Sequence, residues 1–212
     1  MDISNLREQY KLSTLSKKDI LDNPVEQFKL WIEQAIKSES PEPNAMTLAT
    51  VDSIGQPSAR IVLLKEITKE GFIFYTNYSS KKAQDMEVNE NVAVVFNWLE
   101  LQRQVRIKGS ITKISREHSE KYFHSRPRKS QIGAVVSAQS STIASRQVLE
   151  NKLEQLHQEF EGKEKIPMPD DWGGYLISPR TIEFWQGRRS RLHDRLQYTH
   201  TNGRWKIQRL SP

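Results

Sequence analysis

The sequence predicts an α+β fold, mainly antiparallel β, with a closed or split β-barrel and peripheral helices. Three observations carry this. From Ala45 onward, short runs rich in β-branched and aromatic residues recur between turn signals. Helical stretches are interspersed, but they do not alternate one-for-one with strands as βαβ units do, which argues against a doubly wound parallel sheet. Finally, Asp52-Ser53-Ile54-Gly55 and Asn202-Gly203 are tight-turn signals of the kind that join antiparallel neighbours.

Residues 1–22 are polar and read as a mobile N-terminal segment, leaving 23–212 as a single domain. Asn23 can cap a helix whose first position suits Pro24. Val25, Phe28, Ile32, Ala35 and Ile36 then form one apolar stripe to about Ser38. Strands follow at 46–51, 58–65, 71–76, 92–98 and 102–114. A helix at 80–88 separates the third strand from the fourth. Three more helices are expected at 116–124, 127–136 and 143–160. Strand character returns at 175–177, 181–185, 191–199 and 205–210.

The 212 residues carry a formal net charge of +6, a pI near 9.4 and a mean hydropathy of −0.70. Hydrophobic residues make up 36%, so a surface partly hidden in a homo-oligomer fits. There are no cysteines, which excludes disulfides, thiolate-bound metals and thiol catalysis. The five histidines show no metal-type grouping. The N-terminus has no basic-then-apolar leader pattern. The longest apolar runs fall well short of the roughly 18 residues that suggest a membrane span. The expectation is a cytoplasmic protein that binds neither membrane nor nucleic acid.

The most informative stretch is 182–195. An aromatic strand containing Trp185 passes through Gly187 into a segment where Arg191, His193 and Arg195 alternate with Leu192 and Asp194. If extended, that segment carries two guanidiniums and an imidazole on one face, suited to an anionic aromatic ligand. Neighbouring cations favour a neutral His193.

Arg60 and Lys65 bracket an apolar strand, although their spacing puts them on opposite faces of a regular one. Tyr75-Thr76-Asn77 ends a strand just before a helix that opens with Lys81 and Lys82, where free N–H groups favour an anion. Tyr122, Arg126 and Ser130 sit around a helix start at Pro127 and can converge on a second phosphate. Each of these also has a plain structural reading, as a core strand with charged ends, a solvated helix start or a basic corner. Gln104 and the Gln139-Ser140 pair are equally compatible with a solvent-facing sheet and a cap. His118, His124 and His157 read as helix-surface residues.

Together and in this order, these segments resemble the pyridoxine/pyridoxamine 5′-phosphate oxidase family. The resemblance extends to Arg103-Gln104-Val105, Ser130-Gln131-Ile132-Gly133 and Trp172-Gly173-Gly174, and covers nearly the whole chain from about Leu6. It implies an FMN-binding split β-barrel that works as a homodimer with FMN at the subunit interface. It also implies oxidation of pyridoxamine or pyridoxine 5′-phosphate to pyridoxal 5′-phosphate, with O2 as acceptor and H2O2 as product. By position, Arg60, Lys82 and Lys81 would hold the FMN phosphate. The Ile61, Val62, Leu63, Leu64 and Lys65 backbone, with Tyr75, Thr76, Gln104, Gln139, Ser140, Trp185 and Arg195, would complete the flavin site. Lys65, Tyr122, Arg126 and Ser130 would bind the substrate phosphate. Arg191 and His193 would be the catalytic pair facing the pyridine ring, while Arg7 and Tyr10 would close over it. Lys81 departs from the arginine the family often has there, which removes a bidentate fork. Two alternatives carry different expectations. A split-barrel flavin reductase has no need for a second phosphate site, and a basic β-barrel that binds nucleic acid would be colourless.

Overall fold

A computed structural model describes residues 1–6 and 8–212. Eight strands form one antiparallel sheet: β1 (Ala45–Val51), β2 (Pro57–Ile67), β3 (Phe72–Asn77), β4 (Asn91–Trp98), β5 (Arg103–Lys113), β6 (Trp172–Gln186), β7 (Asp194–Thr201) and β8 (Arg204–Leu210). Their order is β3-β2-β1-β4-β5-β6-β7-β8, and a further β3–β6 pairing closes the first six into a barrel. The helices are α1 (Pro24–Lys37), α2 (Lys81–Val88), α3 (Arg116–Ser125), α4 (Arg128–Val136) and α5 (Arg146–Glu159). No helix among the described residues is long and apolar enough to cross a membrane.

The barrel closes because β6 is long enough to serve two partners. Its first half, Trp172 to Ile177, pairs with β3, and its second half, Thr181 to Gln186, pairs with β7. The sequence suggests two strands here, broken at Ser178-Pro179-Arg180. The structure runs one strand through the break. The register with β5 slips between Lys108 and Gly109, so Arg180 has no opposite number. A bulge is where a sheet tolerates proline. Gly109 makes the close approach possible, since a Cβ there would lie 2.1 Å from the Ser178 carbonyl oxygen.

The barrel interior is aromatic. Phe72, Phe74, Phe96, Phe184 and Tyr198 are fully buried. α1 plugs one end, with Phe28 edge-on to Phe72 and Phe96 at 4.9 and 4.8 Å. Asn23 caps that helix as expected, its Oδ1 accepting from the Val25 N–H at 2.8 Å. Ile36, placed on the apolar stripe by periodicity, is 57% exposed; the inner stripe runs through Trp31 instead. A second apolar cluster joins α3, α4 and α5 to Trp172 on β6. α3 and α4, with the loop that follows them, wall the main cavity.

The N-terminal segment, expected to be free, lies along the barrel from Tyr10 onward. The Lys11 and Leu12 N–H groups donate to Gln102 Oε1 at 2.9 and 3.2 Å, and the Leu15 N–H donates to Asp194 Oδ2 at 3.1 Å. Leu15 is buried in the core, and Tyr198 Oη donates to the Leu21 carbonyl at 2.5 Å. Arg7 lies outside the described residues.

Candidate active site

A cavity of about 740 Å³ opens between β2, β3 and the helical layer, a size typical of small-molecule sites. Arg60, Ile61, Val62, Leu63 and Lys65 line one wall, and Tyr75, Thr76, Lys82 and Gln139 another. Tyr122, Arg126 and Ser130 complete it, with Trp172. Arg60 and Lys65 share the cavity because β2 bulges. Leu64 pairs with Phe74 and Glu66 with Ile73, leaving Lys65 as the extra residue. The bulge shifts the alternation by one residue and brings both cations to one side. Leu64 turns into the core, so only its backbone is available to a ligand.

The first cationic corner is Arg60 with Lys82. Arg60 Nη1 donates to Thr50 Oγ1 at 2.7 Å and to the Leu48 carbonyl at 3.3 Å. Lys82 Nζ donates to Gln139 Oε1, Thr76 Oγ1 and Ser80 Oγ at 2.5, 3.2 and 3.2 Å, all neutral acceptors. Burial, and then the nearby Arg60 charge, pull the Lys82 pKa down to about 8. The α2 N-terminus beside it has no side-chain cap, leaving its first N–H groups for an anion. Behind Arg60 the buried Asp85 accepts from Thr50 Oγ1 at 2.8 Å, pairs with Lys81 at 2.8 Å and lies 3.9 Å from Arg60. Lys81 is therefore drawn onto Asp85 and stands outside the main cavity. It lines a smaller neighbouring cavity with Ser140, whose φ of 71° turns the chain there.

The second corner is Arg126. Its guanidinium lies 4.9 Å above the Trp172 ring, and Nη2 donates to the Ser130 carbonyl at 2.8 Å. Nη1 is buried and has no hydrogen-bond partner among the described residues. A buried guanidinium nitrogen without an acceptor is costly, and it belongs to a side chain that lines the cavity, so a shift of Arg126 toward an oxyanion there would relieve that cost. Between the corners, Tyr75 stacks on Tyr122 at 3.8 Å and 17°, and on Trp172 at 5.5 Å and 10°. Trp172 had no role assigned from sequence; its position in this stack supplies one.

The remaining predicted residues lie elsewhere on the chain. Gln104, Trp185 and Arg195 form a cross-strand row over β5, β6 and β7, facing outward because the next residues, Val105, Phe184 and Leu196, are buried. Arg195 is gripped by Glu183 at 2.8 and 3.1 Å. Arg191 and His193 line a separate cavity of about 640 Å³ with Tyr10. His193 stacks obliquely on Trp185 at 4.6 Å, and Tyr10 meets Trp185 edge-on at 5.8 Å.

The alternating face expected of Arg191, His193 and Arg195 does not form. Ser190 and Arg191 have φ of 57° and 61°, so the chain turns there and β7 begins only at Asp194. The turn is fixed by the Arg188 N–H donating to His193 Nδ1 at 3.0 Å and by Arg188 pairing with Asp194 at 3.2 Å. His193 is still brought beside Trp185, by a turn rather than by strand alternation. Its pKa is lowered, by burial first and then by Arg191. Sequence reasoning also missed Asp85, Glu183 and the Glu66–His118 pair, since isolated carboxylates give no spacing signal.

A closed antiparallel barrel with two cationic corners and stacked aromatic rings in one cavity defines a split-barrel protein suited to phosphorylated, flat ligands. The comparisons narrow this class. Residues 32–160 match the family profile described as pyridoxamine 5′-phosphate oxidase, and 172–212 the pyridoxine 5′-phosphate oxidase C-terminal dimerisation region. The chain is 53% identical to the pyridoxine/pyridoxamine 5′-phosphate oxidase of Trichormus variabilis, covering 99% of this chain and 98% of that one. It is 52% identical to the Crocosphaera subtropica enzyme of the same name, over the full length of both. Among solved structures, PhzG from Burkholderia lata, in complex with tetrahydrophenazine-1-carboxylic acid, superposes with a TM-score of 0.89 at 27% identity, covering 95% of this chain and 99% of that one. A pyridoxamine 5′-phosphate oxidase-related, FMN-binding protein from Nostoc punctiforme shares the fold, with a TM-score of 0.70 at 15% identity over 87% of this chain and 97% of that one. The chain belongs to the pyridoxine/pyridoxamine 5′-phosphate oxidase family.

Proposed function

We propose that this protein is an FMN-dependent oxidase that converts pyridoxine or pyridoxamine 5′-phosphate to pyridoxal 5′-phosphate, with O2 as acceptor and H2O2 as product. The observation that carries the reading is the pair of cationic corners in one cavity, because two phosphorylated ligands need two such corners. Arg60 and Lys82 hold the FMN phosphate, with the 61–65 backbone along the ring system. Lys65, Tyr122, Arg126 and Ser130, which line that cavity together, hold the substrate phosphate. FMN, held by Arg60 and Lys82, would supply the redox chemistry as the two-electron acceptor for oxidation at the substrate C4′.

The protein binds and orients the substrate. Arg191 and His193 face the substrate ring. With Nδ1 occupied by the Arg188 N–H, a neutral His193 presents Nε2–H as a donor to a ring substituent. In one chain this cluster and the phosphate cavity are separate, so we assign each site to two chains. The cavity of one copy meets the Trp185, Arg191 and His193 face of the other, consistent with the dimerisation region matched at 172–212. Tyr10 closes over the ring from the N-terminal segment.

The test is to purify the protein, record its visible spectrum and follow oxygen-dependent formation of pyridoxal 5′-phosphate. The expected result is a yellow protein that forms H2O2 with the product. A protein that takes up no FMN on titration, or whose flavin is reduced by a nicotinamide cofactor and not by the phosphorylated substrate, would overturn the reading.

A further inference from the structure

We propose that Glu66 and His118 are positioning residues for the corner that reads the substrate phosphate; this rests on the assignment of Tyr122, Arg126 and Ser130 above. Glu66 follows the bulged Lys65 on β2. One carboxylate oxygen accepts from Tyr75 Oη at 2.5 Å, and the other lies 2.8 Å from His118 Nε2. His118 and Tyr122 are one turn apart on α3 and so share a face. The same helix face therefore meets Tyr75 twice, through Glu66 at the hydroxyl end and through Tyr122 on the ring face.

The plane of Tyr75 is fixed from the other side as well. Gly174 lies opposite it across the β3–β6 pairing, and a Cβ there would come within 2.8 Å of the Tyr75 ring. Burial and the Glu66 bond push the Tyr75 pKa up, so its hydroxyl stays a donor. From Tyr122, α3 runs directly to Arg126, its C-cap, which holds the Ser130 carbonyl. A rigid path thus leads from Glu66 through the stacked tyrosines to the phosphate-binding guanidinium.

A carboxylate next to Lys65 weakens the local attraction for a phosphate. A site built on charge alone gains nothing from it. Its two oxygens, directed at Tyr75 and His118, give it a mechanical task instead. It locks the ring of Tyr75 and docks α3 onto the β2–β3 hairpin.

The test is steady-state kinetics of the holoenzyme with Glu66→Ala. The KM for pyridoxine 5′-phosphate and the Ki for inorganic phosphate should both rise about tenfold, while kcat changes by no more than about twofold, the scale of one oriented hydrogen bond. Flavin content should match wild type. The Ki for pyridoxal, which lacks the phosphate, should not move. Glu66→Gln, which keeps an acceptor for Tyr75, should restore most of the loss. Tyr75→Phe keeps the stack and removes the hydroxyl; it and His118→Ala should each reproduce part of the KM shift, and the Glu66→Ala/Tyr75→Phe double variant should be no worse than Glu66→Ala alone. If Glu66→Ala fails to fold, Tyr75→Phe and His118→Ala decide. Wild-type KM and Ki values, or an equal rise for pyridoxal, would overturn the proposal. A wild-type enzyme inactive on pyridoxine 5′-phosphate would instead overturn the function on which it rests.

Discussion

The ring of Tyr10 occupies the space that a side chain on Gly187 would need. A Cβ built there falls 2.8 to 2.9 Å from three atoms of Tyr10. The N-terminal segment, otherwise held by the Gln102 and Asp194 bonds, is thereby seated beside Trp185 and His193. Gly187→Ala should displace Tyr10 and raise the substrate KM about fivefold, the cost of about one lost contact, with little change in kcat. Limited proteolysis at Lys11 should become faster in this variant. Unchanged cleavage and KM would show that the seating of Tyr10 does not matter.

Lys82 should make anion binding pH-dependent. In the ligand-free protein its pKa lies near 8, and a bound phosphate pushes it up again. Affinity for FMN should therefore hold below about pH 8 and fall as pH rises through it, about tenfold per unit at the steepest. Fluorescence titration of the flavin-free protein measures this. Lys82→Arg should flatten the profile, and Lys82→Met should remove the break together with most of the affinity. The same depressed pKa makes the ligand-free fold gain stability between about pH 8 and the unfolded lysine value near 10.5, because the unfolded chain binds the extra proton there.

His193 should set the acid limb of activity. Its pKa is lowered from the ordinary histidine value, and the neutral form is the one held by the Arg188 N–H. In the pH profile of kcat/KM, activity should fall only below the usual histidine range, as the ring gains a proton and Nδ1 can no longer accept. His193→Asn should lower kcat/KM and abolish that limb. A limb that persists in the variant belongs to another group.

Asp85 ties the Arg60–Lys82 corner to the stability of the fold. Asp85→Ala strands Arg60 and the Thr50 hydroxyl behind the cavity and should cost about 2 kcal/mol in urea unfolding at neutral pH, discounted for the exposure of Lys81. Burial pushes the Asp85 pKa up, but the Lys81 and Thr50 bonds and the Lys81 and Arg60 charges outweigh it, so the net shift is downward. Its contribution is therefore present above the ordinary carboxylate pKa and is lost as pH falls through the lower folded value. Asp85→Asn should reduce the acid sensitivity of the fold over that range.

Much of this architecture is legible in the sequence. The turns at Gly55 and Asn202-Gly203, the Asn23 cap and most strand positions follow from local chemistry. What periodicity could not show is where the chain departs from regularity. The bulge at Lys65 brings Arg60 and Lys65 to one wall, reversing the expectation from strand alternation. The two left-handed residues at Ser190 and Arg191 replace an extended cationic face with a turn. The slip opposite Pro179 makes one strand of an expected two. Carboxylate partners of the site's cations were equally hidden, because Asp85 and Glu183 meet them only after the strands have paired. Resemblance to a family named the cations, and the structure shows what holds Arg60, Lys81, Lys82, Arg126 and Arg195.

In the proposed dimer, each site combines the Arg60–Arg126 cavity of one chain with the His193 face of another. The direct test mixes two inactive variants, Lys82→Glu and His193→Ala, unfolds and refolds them together, and measures pyridoxal 5′-phosphate formation. In the mixed dimer one of the two sites receives both defects and the other receives none. The mixture should be active where neither variant alone is. A mixture as inactive as its components would place both clusters of a site in a single chain and overturn the two-chain site.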